Sequence, residues 1–157
     1  MRIAAEIESA GDATAAQKHA VAALKASRPH YNWVGIYLLD GDELVLGPYL
    51  GKPSPHVRIL LNRGICGAAA SQKQTIVVDD VHSDPRYLAC SIETKSEIVV
   101  PIMDGDRVLG EIDIDSDQPA AFGSQDRRLL EHVARALARK IGPAVAGGLE
   151  PAGRPPG

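Results

Sequence analysis

Two cysteines, Cys66 and Cys90, are the most reactive side chains the sequence offers. Cys66 lies in NRGICGAAA, where Gly64 and Gly67 free the backbone just as a helix begins. Unpaired N–H groups at a helix start favour an anion, so a thiolate there is expected to be stabilised. Cys90 lies in DPRYLACSIETKSE, a polar stretch that separates two strands. A connection of that length in a compact domain is typical of binding or lid elements. The alternative is that both are small buried apolar residues, the usual state of a free cysteine. Their spacing alone makes no metal motif.

The segment EIDID, Glu111 to Asp115, is the second place where chemistry could sit. Strand alternation puts Glu111, Asp113 and Asp115 on one face, with Ile112 and Ile114 on the other. Such a face is either solvated or looks into a cavity roofed by the loop over 82–97. In a cavity the carboxylates would repel one another unless an ammonium, a metal or a shared proton intervened. His56 precedes the strand VRILL, and Glu97 opens the strand EIVVPIM. A histidine, two cysteines and a carboxylate could also hold zinc or iron, with His56, Cys66 and Cys90 as ligands.

These groups must be positioned by a chain of 157 residues, a length that gives one domain. Net charge is −3 and the sequence pI about 5.9, so no strong positive field exists to attract nucleic acid. No stretch approaches the roughly 18 consecutive apolar residues of a membrane span. The opening MRIAAEIES contains Glu6 and Glu8, which does not fit a signal peptide, so a reducing cytoplasm and free thiols are expected.

Two long helices bracket the chain. TAAQKHAVAALKA reads as a helix entered through Thr14 and Gln17 as a capping box, with an alanine face suited to close packing against another helix, of this chain or of a second subunit. SQDRRLLEHVARALARKIG reads as a helix capped by Ser124 and stopped by Gly142-Pro143. Between them, WVGIYLL and ELVL flank Asp40-Gly41, and EIVVPIM and VLGEIDID flank Asp104-Gly105, two hairpin signals. A short strand near 57–61, a short alanine-rich helix and the strand TIVV lie between the hairpins. The order predicts an α+β domain over 1–142, an antiparallel sheet with the terminal helices on one face and a pocket under loops on the other. Residues 143–157, rich in Gly and Pro, read as a mobile tail.

From about Asn32 to Ala138 the chain resembles a GAF domain. The marks are NRGICGAA, Asp80-Val81, DPRYL, KSEIVVPI, VLGEIDIDS and AFGSQDRRLLEHVA. Within that family NWVGIYLL, LVLGPYLGK, GICGAA, Ala89-Cys90, KSEIVVPI and EIDIDS most resemble the free methionine-(R)-sulfoxide reductases.

That resemblance implies roles residue by residue. Cys90 matches the catalytic cysteine and Cys66 a resolving one. Glu97, Asp113 and Asp115 match carboxylates that hold the sulfoxide and the amino-acid substrate, and Trp33 and Tyr37 match the aromatic wall. It further implies no bound cofactor, free methionine sulfoxide as substrate, a Cys90 sulfenic acid, a Cys66–Cys90 disulfide, and a thioredoxin-type reductant. A homodimer is expected, the commonest assembly for such domains.

The sequence also departs from that family. His56, within SPH, stands where those reductases usually carry a third cysteine, often the main resolving partner. YLACS replaces HIACD beside the nucleophile. Two alternatives therefore stand beside the reductase: a ligand-binding or redox-sensing module without turnover, and a metal-binding variant.

Overall fold

The two Asp-Gly pairs close hairpins because a two-residue turn with the right twist needs positive φ, which glycine adopts without steric cost. Gly41 sits at φ +66° and Gly105 at φ +60° in the computed structural model, which describes residues 2–89 and 91–146. The first hairpin pairs β1 (Trp33–Asp40) with β2 (Glu43–Leu50), and the second pairs β5 (Ser96–Asp104) with β6 (Arg107–Ser116).

The hairpins join through antiparallel pairing of β1 with β6, in which Trp33 faces Asp115, Gly35 faces Asp113 and Tyr37 faces Glu111. Short edge strands β3 (Arg58–Leu60) and β4 (Ile76–Val78) complete a six-stranded sheet of order β3-β2-β1-β6-β5-β4.

Alternation along the central strands gives the sheet two buried faces. Ile98, Val100, Ile102, Ile112 and Ile114 meet Leu24, Leu130, Val133 and Leu137 on one side. This face is covered by α1 (Arg2–Glu8), α2 (Ala13–Ser27) and α4 (Ser124–Ala146). Burying each such aliphatic side chain contributes about 1.5–3 kcal/mol, which makes this face the main source of stability. The opposite face carries Tyr37, Val99 and Val108 and is covered by α3 (Gly64–Gln72) and the loops around 51–57 and 80–95. Here the packing is interrupted by acids. The α+β arrangement with terminal helices on one face agrees with the sequence reading.

Local details differ from expectation. The cap of α2 is Asp12, whose carboxylate accepts the Ala15 N–H at 2.8 Å, and not Thr14. Gln17 instead donates to the Ala13 carbonyl. The alanine face of α2 is spent within the chain: Ala16 and Ala20 are fully buried in the core against the sheet and α4.

Ser124 is the first residue of α4, and Asp126 is the side chain that reaches back to accept the Gly123 N–H. Nor does α4 stop at Gly142-Pro143; it continues to Ala146. Proline lacks one N–H, and so close to the end of a helix that removes little. The expected tail is therefore helical over 143–146, and 147–157 lie outside the described residues. Helix α1 had no counterpart in the sequence reading. Among the described residues no helix is long and apolar enough to cross a membrane.

Candidate active site

The acidic face of β6 is not solvated. Glu111, Asp113 and Asp115 are 0%, 5% and 3% exposed, turned away from the three helices and toward α3. Strand pairing adds a fourth acid: Glu97 on β5 faces Asp115 across the sheet and is also buried.

Cys66 reaches the same place from above. Gly64, at φ +70°, starts α3 in a conformation that side chains disfavour, and its missing Cβ leaves room for Leu88. Two residues on, the Cys66 thiol donates to Oδ2 of Asp113 at 3.3 Å. An atom each of Cys66, Glu97 and Asp113 lies within 4.8 Å of the other two. Four acids and one thiol thus meet, and among the described residues lining this inner pocket His56 is the one basic side chain.

That environment decides protonation. Burial pushes the Cys66 thiol well up, and the negative charges of Asp113, Glu111 and Glu97 push the same way. The expectation of a thiolate stabilised by the helix start is therefore overturned; Cys66 is a thiol at rest. Burial also raises Glu111 well above the carboxylate range, against the Cys66 contact and with the help of Asp113. Asp113 is raised by burial too, although Glu97, Cys66 and the His56 charge pull it down. Glu97 and Asp113 are hydrogen-bonded, which two carboxyl groups can manage only with a proton between them.

Aromatic residues of β1 form the wall. The Trp33 indole lies over Gly35, where an added Cβ would come within 2.3 Å of the ring. Trp33 stacks on Tyr49 at 5.7 Å and donates its indole N–H to the Lys52 carbonyl. The Tyr37 hydroxyl donates to the His56 carbonyl at 2.8 Å. Burial holds the Tyr37 phenol far above its usual range, aided by the charge of Asp113, so it remains a donor.

Two loops make the roof. Lys52 pairs with Glu93, and Nε2 of His56 lies 3.0 Å from the Ala89 carbonyl. These contacts tie the 51–57 loop to the segment that carries position 90. Cys90 itself lies outside the described residues, but both its neighbours are placed: Ala89 against His56, and Ser91 in the wall of an outer cavity. The outer cavity has a volume of about 440 Å³ and the inner one about 30 Å³; Trp33, Ser54 and Asp115 line both.

The expected residues are thus largely brought together. Cys66, Glu97, Asp113, Asp115, Trp33 and Tyr37 line one pocket with His56 at its rim. Of the expected metal ligands, Cys90 lies outside the described residues; of the other two, Cys66 belongs to a close cluster with Glu97 and Asp113, and His56 does not. Glu111, which alternation places on the EIDID face but to which the resemblance gives no role, stands beside the cluster, fully buried. The loop residues Lys52 and Ser54 carried no signal.

Comparison with known proteins gives this geometry a context. The GAF domain model matches residues 14–141. The free methionine-R-sulfoxide reductase of Saccharomyces cerevisiae is 42% identical over 73% of the chain, which spans 66% of the yeast protein's length. A type II free methionine-R-sulfoxide reductase from Thermoplasma acidophilum superposes with a TM-score of 0.80 at 40% identity, over 82% of this chain and 92% of that one. The Neisseria meningitidis free methionine-R-sulfoxide reductase, solved with its substrate, gives a TM-score of 0.86 at 35% identity, over 93% and 87%. The chain belongs to the GAF domain family and, within it, resembles the free methionine-R-sulfoxide reductases.

Proposed function

We propose that the chain reduces free methionine-(R)-sulfoxide, with Cys90 as nucleophile and Cys66 as resolving thiol. The observation that carries this reading is the buried Cys66 thiol bonded to Asp113, set among Glu97, Glu111 and Asp115 beneath the loop bearing position 90.

Reduction of a sulfoxide needs a sulfur nucleophile and an acid at the departing oxygen. The Cys90 sulfur, its proton given up to a pocket carboxylate, attacks the sulfoxide sulfur while the Glu97–Asp113 pair protonates the oxygen. The oxygen then passes to the Cys90 sulfur as the new sulfur–sulfur bond and the old S–O bond break, the hydroxyl proton staying with it, so methionine departs and Cys90 is left as a sulfenic acid. Cys66 then attacks that sulfur, its proton passing toward Asp113, and water leaves as the disulfide forms. A dithiol reductant of the thioredoxin class restores both thiols by exchange. The net change is sulfoxide plus dithiol giving thioether, disulfide and water.

Selectivity follows from charge and space. An ionised carboxylate among Asp115 and its neighbours meets the substrate ammonium. An outer cavity of about 440 Å³ is of a size to take a free amino acid. A homodimer in a reducing cytoplasm is the working context of this reading.

The test is NADPH oxidation coupled through thioredoxin and its reductase. Turnover is expected with free methionine-(R)-sulfoxide, and none with the (S) epimer or with peptide-bound sulfoxide. Cys90→Ser should abolish it. Cys66→Ser should leave one turnover and a sulfenic acid that dimedone traps. Saturable binding of the sulfoxide without turnover in the wild-type chain would instead make this a sensory module.

A further inference from the structure

The inner pocket poses a charge problem that protons alone solve at rest. Cys66, Glu97 and Asp113 converge with ligand-capable atoms within 4.8 Å of one another, and all three are buried. Glu111, fully buried on the same strand face, reaches toward the Cys66 sulfur, yet neither of its oxygens completes an ordinary hydrogen bond. The described lining of the pocket supplies no lysine or arginine.

We propose that this pocket binds one thiophilic divalent cation, Zn2+, through the Cys66 thiolate and the carboxylates of Glu97 and Asp113.

The donor set fits zinc. One soft thiolate with hard oxygens suits a borderline cation and disfavours Mg2+ or Ca2+, which take oxygen-only shells. Bonds of about 2.0–2.3 Å put tetrahedral ligand atoms about 3.5 Å apart. The Cys66–Asp113 separation of 3.3 Å already meets this, and a Glu97 oxygen lies within 4.8 Å of both. A space of about 30 Å³ suits a single ion. Binding exchanges the ion for protons: the thiol proton of Cys66 and the proton between Glu97 and Asp113 leave as the three donors close on the metal. The uncompensated Glu111 then lies beside a positive charge. His56 is not needed, because its Nε2 is engaged with the Ala89 carbonyl.

One consequence rests on the reductase reading: zinc takes both the Cys66 sulfur that closes the disulfide and the Glu97–Asp113 proton that the sulfoxide oxygen needs, so zinc occupancy blocks turnover. Binding itself does not depend on that reading.

The experiment uses the full chain, reduced and stripped of metal. Zn2+ is titrated against a chromophoric chelator, with proton release measured in weak buffer and Co2+ used as a spectroscopic probe. Expected are one zinc per chain, release of about two protons, and a thiolate-to-cobalt charge-transfer band. All should persist in Cys90→Ser, a variant that cannot turn over. Cys66→Ser should lose the cobalt band, and Asp113→Asn should weaken zinc at least tenfold, each with wild-type circular dichroism. Should either variant fail to fold, the cobalt band in Cys90→Ser still reports thiolate ligation by Cys66. Absence of stoichiometric binding, or its loss in Cys90→Ser, overturns the site. Turnover unaffected by saturating zinc would overturn the inhibition and leave the site standing.

Discussion

The Cys66 thiol and the Asp113 carboxylate lie 3.3 Å apart on different elements, α3 and β6, and each is only 5% exposed. Neither group is in its usual state: burial raises both, the Asp113 charge pushes the thiol further up, and the hydrogen bond from Cys66 draws Asp113 part of the way back down. A proton shared between sulfur and oxygen is the cheapest arrangement. It sets up the resolving step, because loss of that proton makes the nucleophile.

Removing the Asp113 charge should therefore move the reactivity of Cys66 in a known direction. In a Cys90→Ser background only one thiol remains to report. The rate of alkylation of Cys66 against pH should shift to lower pH in Asp113→Asn, since a like charge has gone. Turnover with Cys90 present should fall by about 100-fold or more, the scale of a lost acid–base group. An alkylation profile that stays put or moves upward would show that Asp113 does not govern the thiol.

Glu111 gives a prediction about stability whose sign is fixed by linkage. Burial, against the Cys66 contact and with Asp113, raises its folded pKa above the unfolded value near 4.3. Its favourable contribution is thus complete in acid and declines as pH rises toward the folded pKa, by up to about 1.4 kcal/mol per pH unit. Glu111→Gln mimics the protonated acid at every pH. Thermal melts of the two proteins should coincide near pH 4 and separate progressively above it, with the glutamine variant the more stable. Parallel curves across that range would contradict the assigned protonation.

His56 holds the roof through the Ala89 carbonyl, one residue from the proposed nucleophile. A neutral hydrogen bond is worth about 0.5–1.5 kcal/mol, so its loss in His56→Ala should lower kcat by about 3- to 10-fold. The glutamine variant, whose amide can still donate, should recover part of the loss, while the KM for the sulfoxide changes little. Equal kcat in the wild-type and alanine proteins would leave the contact without a role in positioning.

Much of this arrangement was legible in the sequence because it follows local rules. Asp-Gly between alternating apolar runs fixes a hairpin, and alternation in EIDID fixes which side chains share a face. What alternation does not fix is which face meets water. The acids of β6 are buried because α3 and two loops cover them, and that is a tertiary fact. The Lys52–Glu93 and His56–Ala89 contacts join loops far apart in the chain with no periodicity to reveal them. The Cys66 environment misled for a similar reason. A helix start argues for a thiolate, but burial and three acids contributed by β5 and β6 outweigh it.

The aromatic wall offers a further prediction with its own reporter, since the chain has a single tryptophan. The Trp33 indole occupies the space above Gly35, and a Cβ there would meet the ring at 2.3 Å. Gly35 also faces Asp113 across the β1–β6 pairing, so the indole and the acid are held in register by the same two strands. Gly35→Ala must push the ring toward the cavity or off Tyr49, at a cost of about 1–3 kcal/mol for overpacking. Tryptophan emission should shift to longer wavelength as the indole meets water, and the KM for free methionine-(R)-sulfoxide should rise with a smaller change in kcat. Unchanged emission together with an unchanged KM would show that the indole does not shape the substrate cavity.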